Sequence, residues 1–181
     1  MSYAANQVAS ATATTAVTLS PAALKVQTAY VKYLLDKGAN PNVKGTHDTP
    51  ALHMAIRLGS TGIMQLLIER GAPIDSKNPN DSRTPLMTAI GWSNSEAVGY
   101  LVSHGAKVND RNRAGETALM LAVKRWYLDE DIIRLLVKHG ASLNAKNYAG
   151  ESVLRIAAKS SEKKDVKQRM LQMLKKLGAK A

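Results

Sequence analysis

The side chains with the most obvious capacity for chemistry are four histidines, His47, His53, His104 and His139. An imidazole can act as a general base or bind a metal ion. No two of them have the H-x-x-x-H spacing that places two metal ligands on one helix face. His104 and His139 each directly precede a Gly-Ala pair, where a ring near a helix C-terminus interacts favourably with the helix dipole. We therefore predict no metal site, no cofactor and structural roles for these rings.

The motifs of common enzyme classes are absent from the sequence. It contains no G-x-S-x-G, no P-loop and no G-x-G-x-x-G, and its acidic residues are scattered among turns and helix ends. Cysteine is also absent, which excludes disulfides, iron–sulfur clusters, cysteine-bound zinc and thiol nucleophiles. The sequence predicts that the protein is not an enzyme and has no catalytic residues.

Composition and charge favour a globular chain that binds an acidic partner. The 181 residues are 45% hydrophobic and 22% charged, which fits one domain with a sizeable core. The formal net charge is +11, and residues 155–181 contribute +7 of it. Such an excess predicts attraction to an acidic protein surface, a nucleic acid or an anionic membrane, although a solvated helix face explains basic clusters more often.

Glycine-alanine pairs recur along the chain and reveal internal repeats. They begin at Gly38, Gly71, Gly105, Gly140 and Gly178, with separations of 33, 34, 35 and 38 residues. Eight, five and four residues before each glycine stand the same apolar positions: Tyr30/Tyr33/Leu34, Ile63/Leu66/Leu67, Ala97/Tyr100/Leu101, Ile132/Leu135/Leu136 and Met170/Met173/Leu174. This spacing predicts one face of a helix, which ends at a glycine with positive φ.

A shorter apolar segment precedes each of the helices that end at Gly71, Gly105, Gly140 and Gly178. Each repeat is therefore predicted to hold two short helices. These segments cover residues 50–59, 84–92, 117–126 and 152–160. A further helix is predicted from Ser20 and Pro21 to about Lys37, because serine is a good N-cap and proline suits the first helical turn.

The repeated motifs resemble the ankyrin repeat. The pattern G-x-T-P-L-H-x-A recurs in altered form at residues 48–55, 82–89, 115–122 and 150–157, and the repeats close with Gly-Ala-x-x-Asn or Gly-Ala-x-x-Asp. The resemblance covers roughly residues 21–179 and implies an all-α solenoid of helix-turn-helix units with β-turn fingers. Only residues 84–86 keep Thr-Pro-Leu and only His53 keeps the histidine, which puts the usual turn hydrogen bonds in doubt for the other repeats.

The predicted organisation is one repeat domain behind a flexible leader. Residues 1–19 form an Ala/Ser/Thr-rich leader, and the domain spans residues 20–179. Its parts are an N-terminal half-repeat or cap at 20–38, repeats at about 39–71, 72–105 and 106–140, and a C-terminal capping repeat at 141–179. The capping repeat is inferred from Lys175 and Lys176, which stand where inner repeats have an apolar residue and its neighbour.

The leader gives a weak indication of location. The chain shows no transmembrane segment and no intact signal peptide. Ala9-Ser10-Ala11 has the A-x-A form of a signal cleavage site, so the leader is either the remnant of a trimmed secretory signal or a floppy tail. The remnant would favour a bacterial periplasm over the cytoplasm.

Resemblance to ankyrin repeats implies that turn tips and first-helix surfaces form a concave binding face. A basic residue follows each closing Asn or Asp by two positions, and aromatic residues stand among the bases. Such residues are common interface hot spots. The predicted protein-binding residues are Lys44, His47, Arg57, Lys77, Arg83, Trp92, Arg111, Arg113, Lys124, Arg125, Trp126, Tyr127, Lys146 and Tyr148.

Two functions are therefore weighed. The favoured one is a non-enzymatic protein-binding module that is monomeric when free. It would act as an inhibitor, immunity or self-protection protein that occludes an acidic partner, with hydrolases among the candidates. The alternative is electrostatic binding of nucleic acid or anionic membrane by the basic C-terminal segment.

Overall fold

The computed structural model describes residues 21–125, 130–160 and 163–180. Within these ranges the chain is helical, apart from turns and two isolated antiparallel bridges, Lys44 with Pro50 and Lys146 with Ser152. The helices are α1 (Pro21–Asp36), α2 (Ala51–Arg57), α3 (Thr61–Glu69), α4 (Pro85–Gly91), α5 (Ser95–Ser103), α6 (Ala118–Lys124), α7 (Glu130–Lys138), α8 (Val153–Lys159) and α9 (Lys164–Lys176), with a short 3₁₀ turn at Thr46–Asp48. The all-α class and the alternation of short helices are as predicted.

The chain divides into two compact units, unit 1 at residues 1–97 and unit 2 at residues 98–181, and the division falls within α5. None of the described helices is both long and apolar enough to cross a bilayer. The repeat boundaries and the extent of the domain stay predictions, as does the leader at residues 1–19, which lies outside the described residues with its A-x-A sequence.

The core of unit 1 is formed by α2, which packs on α3 and α4, and by α3, which also packs on α1. Leu52 and Ile56 of α2 and Met64 and Leu67 of α3 are fully buried. The i, i+3, i+4 spacing of these apolar residues makes one side of each short helix the buried side, so packing rather than helix length stabilises them.

The core of unit 2 is built in the same way. Helix α6 packs on α7 and α8, and α8 packs on α9. Leu119, Ile133, Leu136 and Leu174 are fully buried. Lys175 and Lys176, which directly follow Leu174 in α9, are exposed. The capping role expected of this repeat stays a prediction.

The closing glycines end their helices as predicted. Their φ angles lie in the left-handed region that glycine adopts without strain: Gly38 85°, Gly71 94°, Gly105 84°, Gly140 85° and Gly178 103°. In each case the N–H of the following alanine donates to the carbonyl of the leucine four residues before the glycine, at 2.9–3.0 Å. This Schellman geometry satisfies carbonyls that a helix end would otherwise leave open, and it explains why the Gly-Ala pair recurs.

The N-terminal caps of the first helices are largely kept despite the altered motif. The hydroxyls of Thr84, Thr117 and Ser152 accept hydrogen bonds from backbone N–H groups three residues on, at 3.3–3.4 Å. Pro50 takes this position in α2 and makes no side-chain cap. The doubt raised by the sequence therefore applies to α2 and not to α4, α6 or α8.

One part of the predicted apolar pattern is wrong. Tyr30 and Tyr33 of α1 were expected in the buried column, but they are 43% and 56% exposed, while Val31, Leu34 and Leu35 are buried. The spacing alone does not tell which side of α1 packs on α3. The Lys37 ammonium lies 5.8 Å from the centroid of the Tyr33 ring.

Candidate functional site

In unit 1 an arginine and a tryptophan from neighbouring repeats meet at the surface. Arg57 is the last residue of α2, and Trp92 caps the C-terminus of α4. The guanidinium carbon of Arg57 lies 5.2 Å from the Trp92 ring centroid, within the range of a cation–π contact. Trp92 remains 54% exposed. A large aromatic surface and a positive charge are therefore presented together.

Arg83 adds a second guanidinium to this surface. Its Nη1 lies 3.3 Å from the point where a Cβ on Gly91 would stand, directly before Trp92. A side chain at position 91 would press on Arg83, so this glycine makes room for the guanidinium. Arg83 Nε also forms an ion pair with Asp81 at 3.2 Å. We call Arg57, Arg83 and Trp92 the arginine–tryptophan patch.

The finger turns of unit 1 carry the remaining predicted residues. Lys44, His47 and Lys77 are exposed. His47 and Asp48 both have positive φ, 57° and 56°, which is uncommon for residues other than glycine. The Asn80 Nδ2 donates to the His47 carbonyl oxygen at 3.0 Å, which joins consecutive fingers and helps to hold this conformation.

His53 is buried beneath these fingers. Its Nε2 lies 2.7 Å from the Ser76 carbonyl oxygen and its Nδ1 lies 2.8 Å from the Thr88 hydroxyl. A carbonyl only accepts, so Nε2–H donates to Ser76, and Nδ1 of the neutral ring accepts from Thr88. Burial lowers the pKa of His53, while the bond to Ser76 and the charge of Asp81 oppose that shift. This is the structural role predicted for this histidine.

In unit 2 one lysine of each first helix is paired with a carboxylate. Lys124 Nζ lies 3.0 Å from Glu116 Oε1, and Lys159 Nζ lies 2.6 Å from Glu151 Oε1. The hydrogen bond from Lys159 is the main cause that lowers the pKa of Glu151. Lys124, a predicted binding residue, thus has its charge compensated within its own repeat.

Unit 1 lacks this glutamate–lysine pair. The corresponding positions hold Thr49 with Arg57 in one repeat and Arg83 with Gly91 in the next. A position that is acidic in unit 2 is therefore neutral or basic in unit 1. Although the two halves of the predicted face look equally basic in sequence, they differ in local charge.

Arg111 is engaged in the backbone of unit 2. Its Nη1 donates to the carbonyl oxygens of Gly115 at 2.8 Å and Lys146 at 2.6 Å, and so it ties two consecutive fingers together. Tyr148 is 73% exposed, yet its ring packs so closely on Gly115 that a Cβ there would lie 2.7 Å away.

The other predicted residues of unit 2 contribute less to a defined site. Arg113 is exposed and Arg125 is half-buried. Trp126 and Tyr127 lie outside the described residues, so their place on a binding face stays a prediction. No cluster of His, Asp or Glu that could hold a metal ion occurs among the residues that the structure describes.

Sequence reasoning missed the carboxylates that neutralise the unit 2 lysines. Asn112 accepts from the N–H groups of Ala114 and Glu116 and donates to the Glu116 carboxylate at 2.9 Å, and Asn147 repeats the arrangement with Glu151. A signal was present, because Asn, Glu and Lys recur with identical spacings of four and eight residues in both repeats.

Paired short helices closed by left-handed glycines define a class, the all-α repeat proteins. Within that class, the family model described as ankyrin repeats in three copies matches residues 19–112, and the single ankyrin repeat model matches residues 114–148. The chain belongs to the ankyrin-repeat family. Ankyrin repeats are protein–protein interaction modules, so the repeats indicate a protein-binding function.

Relatives share the repeats but differ in their named functions. An ankyrin repeat-containing protein of Treponema pallidum is 37% identical over 105 residues, which is 58% of this chain and 35% of that protein. Protein PhlB of Serratia liquefaciens is 35% identical over 103 residues, 57% of this chain and 45% of PhlB. Glycerophosphocholine phosphodiesterase gde1 of Schizosaccharomyces pombe is 37% identical over 98 residues, 54% of this chain and 9% of the enzyme. The matches thus span less than half of each relative.

Proposed function

We propose that the protein binds a partner protein with an acidic surface through the arginine–tryptophan patch of unit 1. The observation that carries this proposal is the exposed Trp92 ring with the Arg57 guanidinium over it. Tryptophan and arginine are the residues most enriched among interface hot spots, because they bury large areas and make directional contacts.

Local charge supports an acidic partner for this patch. Arg83 is paired with Asp81, whereas Arg57 stands where unit 2 has a lysine paired with a glutamate and has the neutral Thr49 at the glutamate position, so the two arginines and Asp81 together leave one positive charge beside the aromatic ring. The exposed fingers add the ammonium groups of Lys44 and Lys77. Complementary charge of this kind speeds encounter and disfavours basic partners.

The test compares two exposed aromatic residues of unit 1. Wild-type protein, Trp92→Ala and Tyr33→Ala serve as baits in quantitative capture from a native lysate, with captured proteins identified by mass spectrometry. Tyr33 is the matched control, since its exposure of 56% is close to the 54% of Trp92. A specific partner should be lost with Trp92→Ala and kept with Tyr33→Ala, and with purified partner the loss should be about 2 kcal/mol, close to thirtyfold in Kd.

A charge reversal tests the electrostatic part. Arg57→Glu should mainly slow association and reduce its dependence on salt, because exposed charges steer encounter more than they hold the complex. Equal capture by the wild type and Trp92→Ala would overturn the proposal.

The basic C-terminal segment provides the contrasting variant. Neutralising Lys163, Lys164, Lys167 and Arg169 should leave partner binding intact. The opposite result would be loss of partner affinity on neutralising these residues and no loss in Trp92→Ala. It would support electrostatic binding of an anionic surface by the C-terminal segment, which depends steeply on salt.

We further propose that binding occludes the partner, as an inhibitor or immunity protein does. A rigid repeat surface that inserts an exposed aromatic ring suits the mouth of an active site. If the captured partner is an enzyme such as a hydrolase, adding wild-type protein should abolish its turnover and Trp92→Ala should not. A partner that keeps full activity in the complex would contradict the inhibitor role and leave simple binding.

A further inference from the structure

We infer that unit 2 carries a second binding site, a cleft between α7 and α9 that takes a phosphate monoester. The cleft is distinct from the arginine–tryptophan patch, which belongs entirely to unit 1. Its volume is about 330 Å³, roughly that of ten water molecules. It is lined by Glu130, Arg134, Arg169, Gln172, Met173, Lys176 and Leu177.

A single carboxylate holds two guanidiniums at this cleft. Glu130 Oε2 lies 3.4 Å from Arg134 Nη2, on the same helix, and Glu130 Oε1 lies 2.5 Å from Arg169 Nε, on the other helix. The Glu130 side chain is only 22% exposed, whereas those of Arg134 and Arg169 are 56% and 73% exposed. The shared carboxylate thus brings the two guanidiniums together at the cleft.

The charge of the lining selects the ligand. Arg134, Arg169 and Lys176 supply three positive charges against the one negative charge of Glu130, which leaves +2. A phosphate monoester carries close to two negative charges at neutral pH, because its second pKa is about 6. Guanidiniums bind phosphate oxygens through directional, charge-assisted hydrogen bonds.

The remaining lining favours an organic ester over bare phosphate. Met173 and Leu177 provide apolar surface beside the charged groups, and Gln172 offers an amide. An alkyl or aryl group attached to the phosphate would cover this surface. Phosphate monoesters occur both as soluble metabolite-like molecules and as the headgroup of phosphatidic acid, and the chemistry that the cleft recognises is common to both.

Titration with phenyl phosphate tests the site directly. We expect saturable binding by calorimetry at low salt and pH 7.5, weakened about tenfold by Arg134→Gln or Lys176→Gln, since each removes a charged contact. Arg155→Gln is the matched control, because Arg155 is an exposed arginine of unit 2 outside the cleft, and it should bind as the wild type does. Benzoate should bind weakly, and lowering the pH below 6 should weaken phenyl phosphate as it takes up its second proton.

The source of the ester is distinguished with membranes. If the wild type floats with phosphatidylcholine vesicles that contain phosphatidic acid and Arg134→Gln does not, the ligand is a lipid headgroup. If the protein binds phenyl phosphate but does not float with the vesicles, the ligand is a soluble ester. No binding of phenyl phosphate, or an equal loss in Arg155→Gln, would overturn the inference. Unchanged melting temperatures would show that the variants are folded. Trp92→Ala should leave this binding intact, so failure here and failure of the proposed protein interface are separable.

Discussion

At the scale of single residues, the buried His53 makes stability depend on pH. Its folded-state pKa lies below the unfolded value of about 6.5 because burial disfavours the charged ring. The unfolded chain therefore binds more protons as the pH falls through 6.5, and the free energy of unfolding decreases there. The stabilising contribution is complete above pH 6.5 and is lost progressively on acidification.

We expect the melting temperature of the wild type to fall between pH 7.5 and 5. In His53→Gln the fall should be smaller, because the amide can donate to Ser76 and accept from Thr88 without titrating. Thermal unfolding of both proteins in matched buffers measures the difference. If the melting temperatures of both proteins fell equally with pH, groups other than His53 would cause the fall.

Asn112 organises a finger turn of unit 2. Its buried side chain makes three hydrogen bonds, two of them to backbone N–H groups. We expect Asn112→Ala to lower the free energy of unfolding by about 1–3 kcal/mol, because it leaves buried donors without partners. Chemical denaturation measures this loss.

The equivalent Asn147 provides the comparison for Asn112. It makes the same bonds but is only half-buried. Water can replace its lost contacts, so Asn147→Ala should cost less. Equal losses in both variants would mean that burial does not set the cost.

At the scale of helices, end groups matter because helices such as α8, with 7 residues, are short. Ser152 caps α8 through a hydrogen bond from the Arg155 N–H. Ser152→Ala should lower the free energy of unfolding by about 1 kcal/mol, while Ser152→Thr should keep the cap. Denaturation midpoints of the two variants test this, and a loss of the same size in both would point to packing rather than capping.

The helices could be predicted from sequence because their signals are local and repeated. Each Gly-Ala pair carries its own conformational requirement, and the Schellman bonds confirm it in all five copies. The exposure of Tyr30 and Tyr33 could not be predicted in the same way. Their spacing is that of a buried column, and spacing within one helix does not show which side of that helix another helix covers.

The candidate site was predictable only in part, because sequence spacing does not show which side chains contact each other. Sequence columns place Arg57 in register with Gly91 and Trp92 one position further on, so both are expected at the exposed end of a first helix. They do not show that Arg57 stacks on Trp92, that Arg111 binds two backbone carbonyls, or that Glu116 pairs with Lys124. These contacts depend on side-chain conformations across neighbouring repeats, which a list of basic residues does not contain.

At the scale of the whole molecule, we predict that α9 caps unit 2. Met170, Met173 and Leu174 of α9 are buried. Deleting residues 170–181 should expose the apolar residues Leu135, Leu136 and Val137 and cause aggregation. Light scattering during size-exclusion chromatography measures this.

A double variant separates the role of the helix from that of its charges. Lys175→Gln with Lys176→Gln keeps α9 and should remain monomeric, since both lysines are exposed. If the truncated chain stayed monomeric with an unchanged melting temperature, α9 would not be a cap.

The stacked and exposed Trp92 has a practical consequence for spectroscopy. The sequence has only two tryptophans, so replacing Trp126 with phenylalanine would leave one indole to dominate the fluorescence emission. A ring that is 54% exposed emits at long wavelength, and covering it with another protein should shift the emission to the blue. Trp92 would then act as an intrinsic, label-free reporter of the occupied patch, and its emission could follow association in real time.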